Sequence, residues 1–236
     1  MASDRIDFIS SYCDRWCERC AFTDRCSVYA CRIAAEMCGD FREGLELALG
    51  RPHPVDGDPP AASGETPGAD FADATISPEE IARFERADRE RRARLNAHPL
   101  THMSDLYASR AWDWLRAHQE PLSASADAVV REALEVVSWD AHLIGAKINR
   151  ALSGRDWVSN GEDEDDDPVQ NDANGSAKVA LLSLERSEAA WRTIAAAIGD
   201  ATPSVLADGA SHLRRALQAT FPDAMKFIRP GFDEPD

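Results

Sequence analysis

Apolar residues over 128–152 recur at three- and four-residue spacing: Val130, Leu134, Val137, Ala141, Ile144 and Ile148. That period puts them on one stripe of a helix and predicts a long helix over 123–152. On its wheel Glu132, Glu135, Trp139 and His142 fall on roughly the opposite side. Ala180, Leu184, Ser187, Trp191, Ile194 and Ile198 repeat the pattern and predict a helix over 174–198. Gly199 is its stop signal, and Glu188 lies at the stripe's edge. Leu106, Trp112 and Leu115 mark a helix over 104–117, and Leu206, Leu213, Leu217 and Phe221 another, opened by Pro203 and ended by Pro222. Ser77-Pro78-Glu79-Glu80 reads as a helix start, with a capping serine, proline in the first turn and acids behind it. The helix it opens carries Arg83, Arg86, Arg89, Arg91, Arg92 and Arg94 among Glu85, Asp88 and Glu90, the pattern of an exposed, ion-paired surface.

No segment alternates with the two-residue period of a strand, so the expected class is all-α, a bundle of four to five helices. Four regions separate by composition. Residues 1–50 hold every cysteine and read as a small helical module, broken by a turn near Phe22-Thr23-Asp24. Residues 51–76 are rich in Pro, Gly and Asp with few large apolar side chains, the composition of a flexible linker. Residues 77–222 form the bundle, interrupted by an acidic loop over 155–171 that is expected to be disordered, and 223–236 are a tail.

Charge narrows the partners. The chain has a net charge of −16, and it stays acidic when the carboxylate run at 162–167 is set aside. Such a surface repels nucleic-acid phosphates and anionic lipids and leaves a protein partner, a basic one above all, as the expected kind. No run approaches the about 18 apolar residues of a membrane helix. The first residues lack a basic stretch followed by an apolar one, so the expected compartment is the cytoplasm. In that reducing setting clustered cysteines are more often metal ligands than disulfides.

The cysteines are where the chemistry is concentrated. Four of the six fall within fourteen residues as Cys13-x3-Cys17-x2-Cys20-x5-Cys26. On a helix the first three share one face, which predicts three sulfurs aimed at one point, with Cys26 closing the set. Asp14, Arg15, Glu18, Arg19, Asp24 and Arg25 crowd the segment, a setting unlike an apolar core. Four thiolates in one burst point to a [4Fe–4S] cluster, with zinc as the alternative. Trp16 and Phe22 are candidates to shield it, Cys31 is a reserve ligand, and Cys38 is expected in the core. The function so implied is electron transfer, redox sensing or a structural staple; with zinc it becomes a regulatory or adaptor protein whose bundle binds a protein.

Cys13-x3-Cys17-x2-Cys20 matches the three-cysteine signature of radical S-adenosylmethionine enzymes. That family implies an α/β barrel and one open iron site, whereas this chain has no strand pattern and has a fourth cysteine. The triple also resembles the helical His-x3-Cys-x2-Cys site of zinc-binding anti-sigma factors, with Cys13 at the family's histidine. That resemblance implies zinc.

A second metal site within the bundle has Glu188, Asp208 and His212 as its candidates, since helical bundles host carboxylate–histidine centres. No Glu-x2-His pair supports it. No Ser/His/Asp order, phosphate loop or His-Glu-x2-His motif is present.

Overall fold

The computed structural model describes residues 4–50, 76–125, 127–159 and 167–234. The expected linker, apart from Ile76, and the acidic run up to Asp166 lie outside the described residues. All regular structure among the described residues is helical, with no strand. The described residues form seven α-helices: α1 (Ser27–Cys38), α2 (Phe41–Leu49), α3 (Pro78–Asn96), α4 (Pro99–Ser125), α5 (Ala128–Ser159), α6 (Asp172–Ile198) and α7 (Ala201–Thr220). α1 and α2 lie in the cysteine-rich region, and α3–α7 lie within residues 77–222. None of the described helices is long and apolar enough to cross a membrane.

The chain divides into two compact units, one made of the described residues of 1–5 and 21–92, the other of 6–20 and 93–236. The division falls between Cys20 and Ala21, inside the 1–50 module read from the sequence.

In the first unit, α1 and α2 form a helical hairpin. Cys26 caps α1, its sulfur accepting from the Tyr29 amide at 3.5 Å. Gly39 ends α1 at φ 69°, a left-handed conformation that glycine adopts without a Cβ penalty. Asp40 then caps α2 by accepting from Glu43 N at 2.8 Å. The helices meet where Gly44 lies against the Ala35 backbone. α3 starts on the box read from the sequence: Glu80 N donates to Ser77 Oγ at 3.2 Å and Ser77 N to Glu80 Oε2 at 2.9 Å. No residue of α3 is buried.

In the second unit, α4 packs on α5 and α7, and α6 packs on the same two. Their shared core contains the predicted stripe of α5, with Val137 and Ile148 at 0% exposure. The α6 stripe holds as well: Ala180, Leu184, Ser187, Trp191 and Ile194 are all at 0% exposure, with Ile198 packed at the edge. Trp191 donates to the Tyr107 hydroxyl at 3.0 Å and meets Trp114 edge-on, so an aromatic cluster ties α4 to α6.

Helix ends differ from the sequence reading where side-chain caps decide them. α5 begins at Ala128, not 123, because Asp127 Oδ1 accepts from Val130 N at 2.9 Å. α6 begins two residues early on an Asn171 cap, and α7 on an Asp200 cap ahead of Pro203. α4 extends through Pro121 to Ser125, well beyond its predicted end. Part of the predicted tail is packed: Phe227 is 3% exposed, and Lys178 Nζ donates to its carbonyl at 2.6 Å.

Candidate functional site

Residues 13–20 are not a helix, so Cys13, Cys17 and Cys20 do not share a helical face. The cause is local. Asp14 Oδ1 accepts from Trp16 N at 3.1 Å, Arg15 takes a left-handed φ of 60°, and Cys17 N donates to Arg15 O at 3.0 Å. A left-handed residue cannot sit inside a right-handed helix, and a short side chain capping its own backbone competes with one. Regular α-helix begins only at Ser27.

In its place the segment builds one turn twice. Trp16-Cys17-Glu18-Arg19-Cys20 and Phe22-Thr23-Asp24-Arg25-Cys26 each place an aromatic residue before a 3-10 turn, an acid and an arginine within it, and a cysteine after it. Both terminal cysteines are in extended backbone, and each N–H returns to the carbonyl that opens its turn: Cys20 to Cys17 at 3.2 Å, Cys26 to Thr23 at 3.4 Å. The repeated aromatic–x–acid–Arg–Cys pattern is a sequence signal that helical periodicity overlooks.

Within the second unit, residues 6–20 lie as a strap on α5 and α6. Trp16 is 9% exposed and stacks on Trp139 at 5.3 Å between centroids and 17° between planes. Arg19 lies over the Trp16 ring at 4.0 Å and pairs with Glu132 and Glu135. Trp139 Nε1 donates to Asp14 O at 2.8 Å, and Lys147 Nζ to Ser11 O at 3.0 Å. The tail closes the other end, with Tyr12 against Phe227 at 4.6 Å. The face of α5 read as pointing away from the core, with Glu132, Glu135 and Trp139, is therefore the face that receives the strap.

Under the strap lies a charge cluster that the sequence reading missed. Asp140 is at 0% exposure and is held by Arg186, which also binds Asp14 Oδ2 at 2.7 Å. Burial pushes the Asp140 carboxyl up against the pull of Arg186. Burial works against the Arg186 charge too, yet hydrogen bonds to Asp140 and Asp14 carry the guanidinium above its ordinary value. The forked pairing requires the ionised pair. Nearby, burial pulls the Lys147 ammonium down to about 8, while the Cys13 sulfur acts in the opposite direction.

None of the six cysteines is in a disulfide, and each is of intermediate exposure. Cys13 and its Ser10 carbonyl partner lie 3.5 Å apart. The expectation that Cys38 is core is not met. Among the described residues no group of three or more His, Cys, Asp and Glu side chains is arranged to hold a metal ion. The cysteines themselves still suit a soft metal: they are thiols of partial exposure, neither oxidised together nor sunk in the core.

The bundle candidates are accounted for otherwise. Glu188 pairs with Arg192 at 2.7 Å and Arg214 at 3.4 Å. Burial opposes its charge, but these arginines hold its carboxyl below the usual range. Asp208 is 78% exposed, and His212 lines a groove of about 190 Å³ between α4 and α7 with Met103, Leu106 and Val205. The structure does not bring the three together as a site.

No family model, no curated protein and no solved structure matches this chain.

Proposed function

We propose that this chain binds an iron–sulfur cluster, a [4Fe–4S] centre, through Cys13, Cys17, Cys20 and Cys26. The observation that carries the reading is the doubled turn, which ends each time in a half-exposed cysteine on extended backbone. A core role for these residues would bury them, and none is buried. Tyr29 N–H already donates to the Cys26 sulfur, and amide-to-sulfur hydrogen bonds are one means by which proteins tune such clusters. The cluster supplies one-electron chemistry when bound. The chain's own part is to hold the ligands, and Trp16 to keep water from one side of them.

The use we infer is electron transfer, redox sensing or stapling of the N-terminal segment, by a protein of acidic surface whose partners are proteins. Zinc on the same four thiolates, in a regulatory or adaptor protein, is the second reading, favoured by the short Cys17-x2-Cys20 loop that zinc sites also use.

Anaerobic purification decides between them. The cluster form is brown, carries iron and sulfide, and bleaches with dithionite. A colourless protein with one equivalent of zinc overturns iron in favour of the second reading. Cys17→Ser abolishes metal binding on either reading, and Cys31→Ser preserves it. Unchanged metal content in Cys17→Ser removes the site.

A further inference from the structure

The α1–α2 hairpin carries an apolar groove of about 820 Å³ on its own surface, lined by Val28, Cys31, Ala35, Phe41, Leu45 and Leu49. Phe41 and Leu49 are 68% and 58% exposed. Two helices of twelve and nine residues cannot cover such a face themselves: Ala34 in α1 and Gly44 in α2 are their only buried residues. Helices this short owe their stability to packing an apolar face against something.

Two charges of opposite sign stand on the same groove, Arg32 and Glu36, one turn apart on α1. The Arg32 guanidinium lies over Tyr29 of its own helix at 5.2 Å. Among the described residues neither Arg32 nor Glu36 has an ion-pair partner in the structure, although both are exposed. A groove bearing one cation and one anion beside an apolar centre is complementary to itself under a two-fold rotation. An acidic or a basic peptide laid there would meet its own charge at one of the two positions.

We propose that this groove is a homodimer interface. A second copy of the chain packs its α1–α2 hairpin on the first, Phe41, Leu45 and Leu49 meeting across the axis to make a small four-helix arrangement. Arg32 of each copy pairs with the partner's Glu36. The interface does not depend on Cys13, Cys17, Cys20 or Cys26, although Cys31, the reserve ligand, lines the groove.

Sedimentation equilibrium of the full chain tests it. The wild type is a dimer. Phe41→Asp, which places an acid in the first turn of α2 and so suits that helix, gives a monomer with unchanged helical circular dichroism. Arg32→Glu sets acid against acid and weakens the dimer about tenfold or more. Adding Glu36→Arg to it reverses both charges and restores the dimer. A monomeric wild type overturns the proposal, as does a dimer that survives Phe41→Asp or a double reversal that fails to restore association. The last outcome leaves the groove to a different partner.

Discussion

Arg186 grips Asp140 with two hydrogen bonds, Nε to Oδ2 at 3.1 Å and Nη2 to Oδ1 at 2.5 Å. Asp140 lies on the buried side of α5 and is closed off from solvent, so its charge has little other than Arg186 to balance it. The same guanidinium reaches Asp14 in the strap, joining three segments distant in sequence.

Removing one partner of such a pair costs more than removing both. Arg186→Met should destabilise the second unit by about 3 kcal/mol, because a buried carboxylate is left without its counter-charge. The double variant Asp140→Leu/Arg186→Met should recover most of that loss. Urea unfolding followed by far-ultraviolet circular dichroism measures both, and equal losses in the single and double variants would refute the argument.

Gly44 is the close-approach point of the hairpin. A Cβ there would fall 2.5 Å from Ala35 N and 2.6 Å from its Cα, and neither backbone atom can swing aside. Gly44→Ala should therefore part α1 from α2 at a cost of about 1–3 kcal/mol, even though alanine favours a helix. Faster proteolysis within 27–49, with α4–α7 still protected, is the expected readout.

The bundle was legible because burial and helical period coincide. Val137 and Ile148 announce the core face of α5, and Leu184, Trp191 and Ile194 that of α6, with no need of long-range information. Asp140 was legible in principle: it falls between Val137 and Ile144 on the same stripe, where a carboxylate requires a partner. Arg186 as that partner was not, since only the fold brings α5 and α6 together. The cysteine segment misled for the opposite reason. Its spacing of three and four fits a helix, but Arg15 at positive φ and the Asp14 cap decide the backbone, and periodicity carries no trace of either. The strap escaped notice because Trp16 and Trp139 are separated in sequence by the whole of residues 21–92, which belong to the first unit.

Strong acid should loosen the tail. Asp233 pairs with Lys178 at 2.8 Å and with Arg229 at 2.9 Å. Burial works against its charge, but hydrogen bonds from Arg229 and Lys178 hold its carboxyl well below the ordinary range. A carboxylate with a depressed folded-state value stabilises the fold above its unfolded value, about 4, and loses that contribution as pH falls through the folded one. Asp233→Asn should therefore cost about 2 kcal/mol at neutral pH. The gap from wild type should shrink steadily in denaturant titrations carried below about pH 4. A gap independent of pH would show that Asp233 acts by packing alone.

Trp16 connects the strap to whatever its cysteines bind. It is nearly buried, stacks on Trp139, lies under Arg19 and immediately precedes Cys17. Trp16→Ala should cost about 3 kcal/mol in the second unit, the usual loss for a large buried aromatic. Amide exchange should rise over 6–20 and at the Trp139 face of α5, while the α6 stripe stays protected. All six cysteines remain in this variant, so its metal content isolates the contribution of the docked strap. If docking positions Cys13, Cys17 and Cys20, the variant should bind iron or zinc more weakly than wild type, and Trp16→Phe, which keeps an aromatic face for Trp139 and Arg19, should recover most of the affinity. Undiminished metal affinity in Trp16→Ala, with the strap demonstrably released, would show that the cysteines hold their cofactor without help from the bundle.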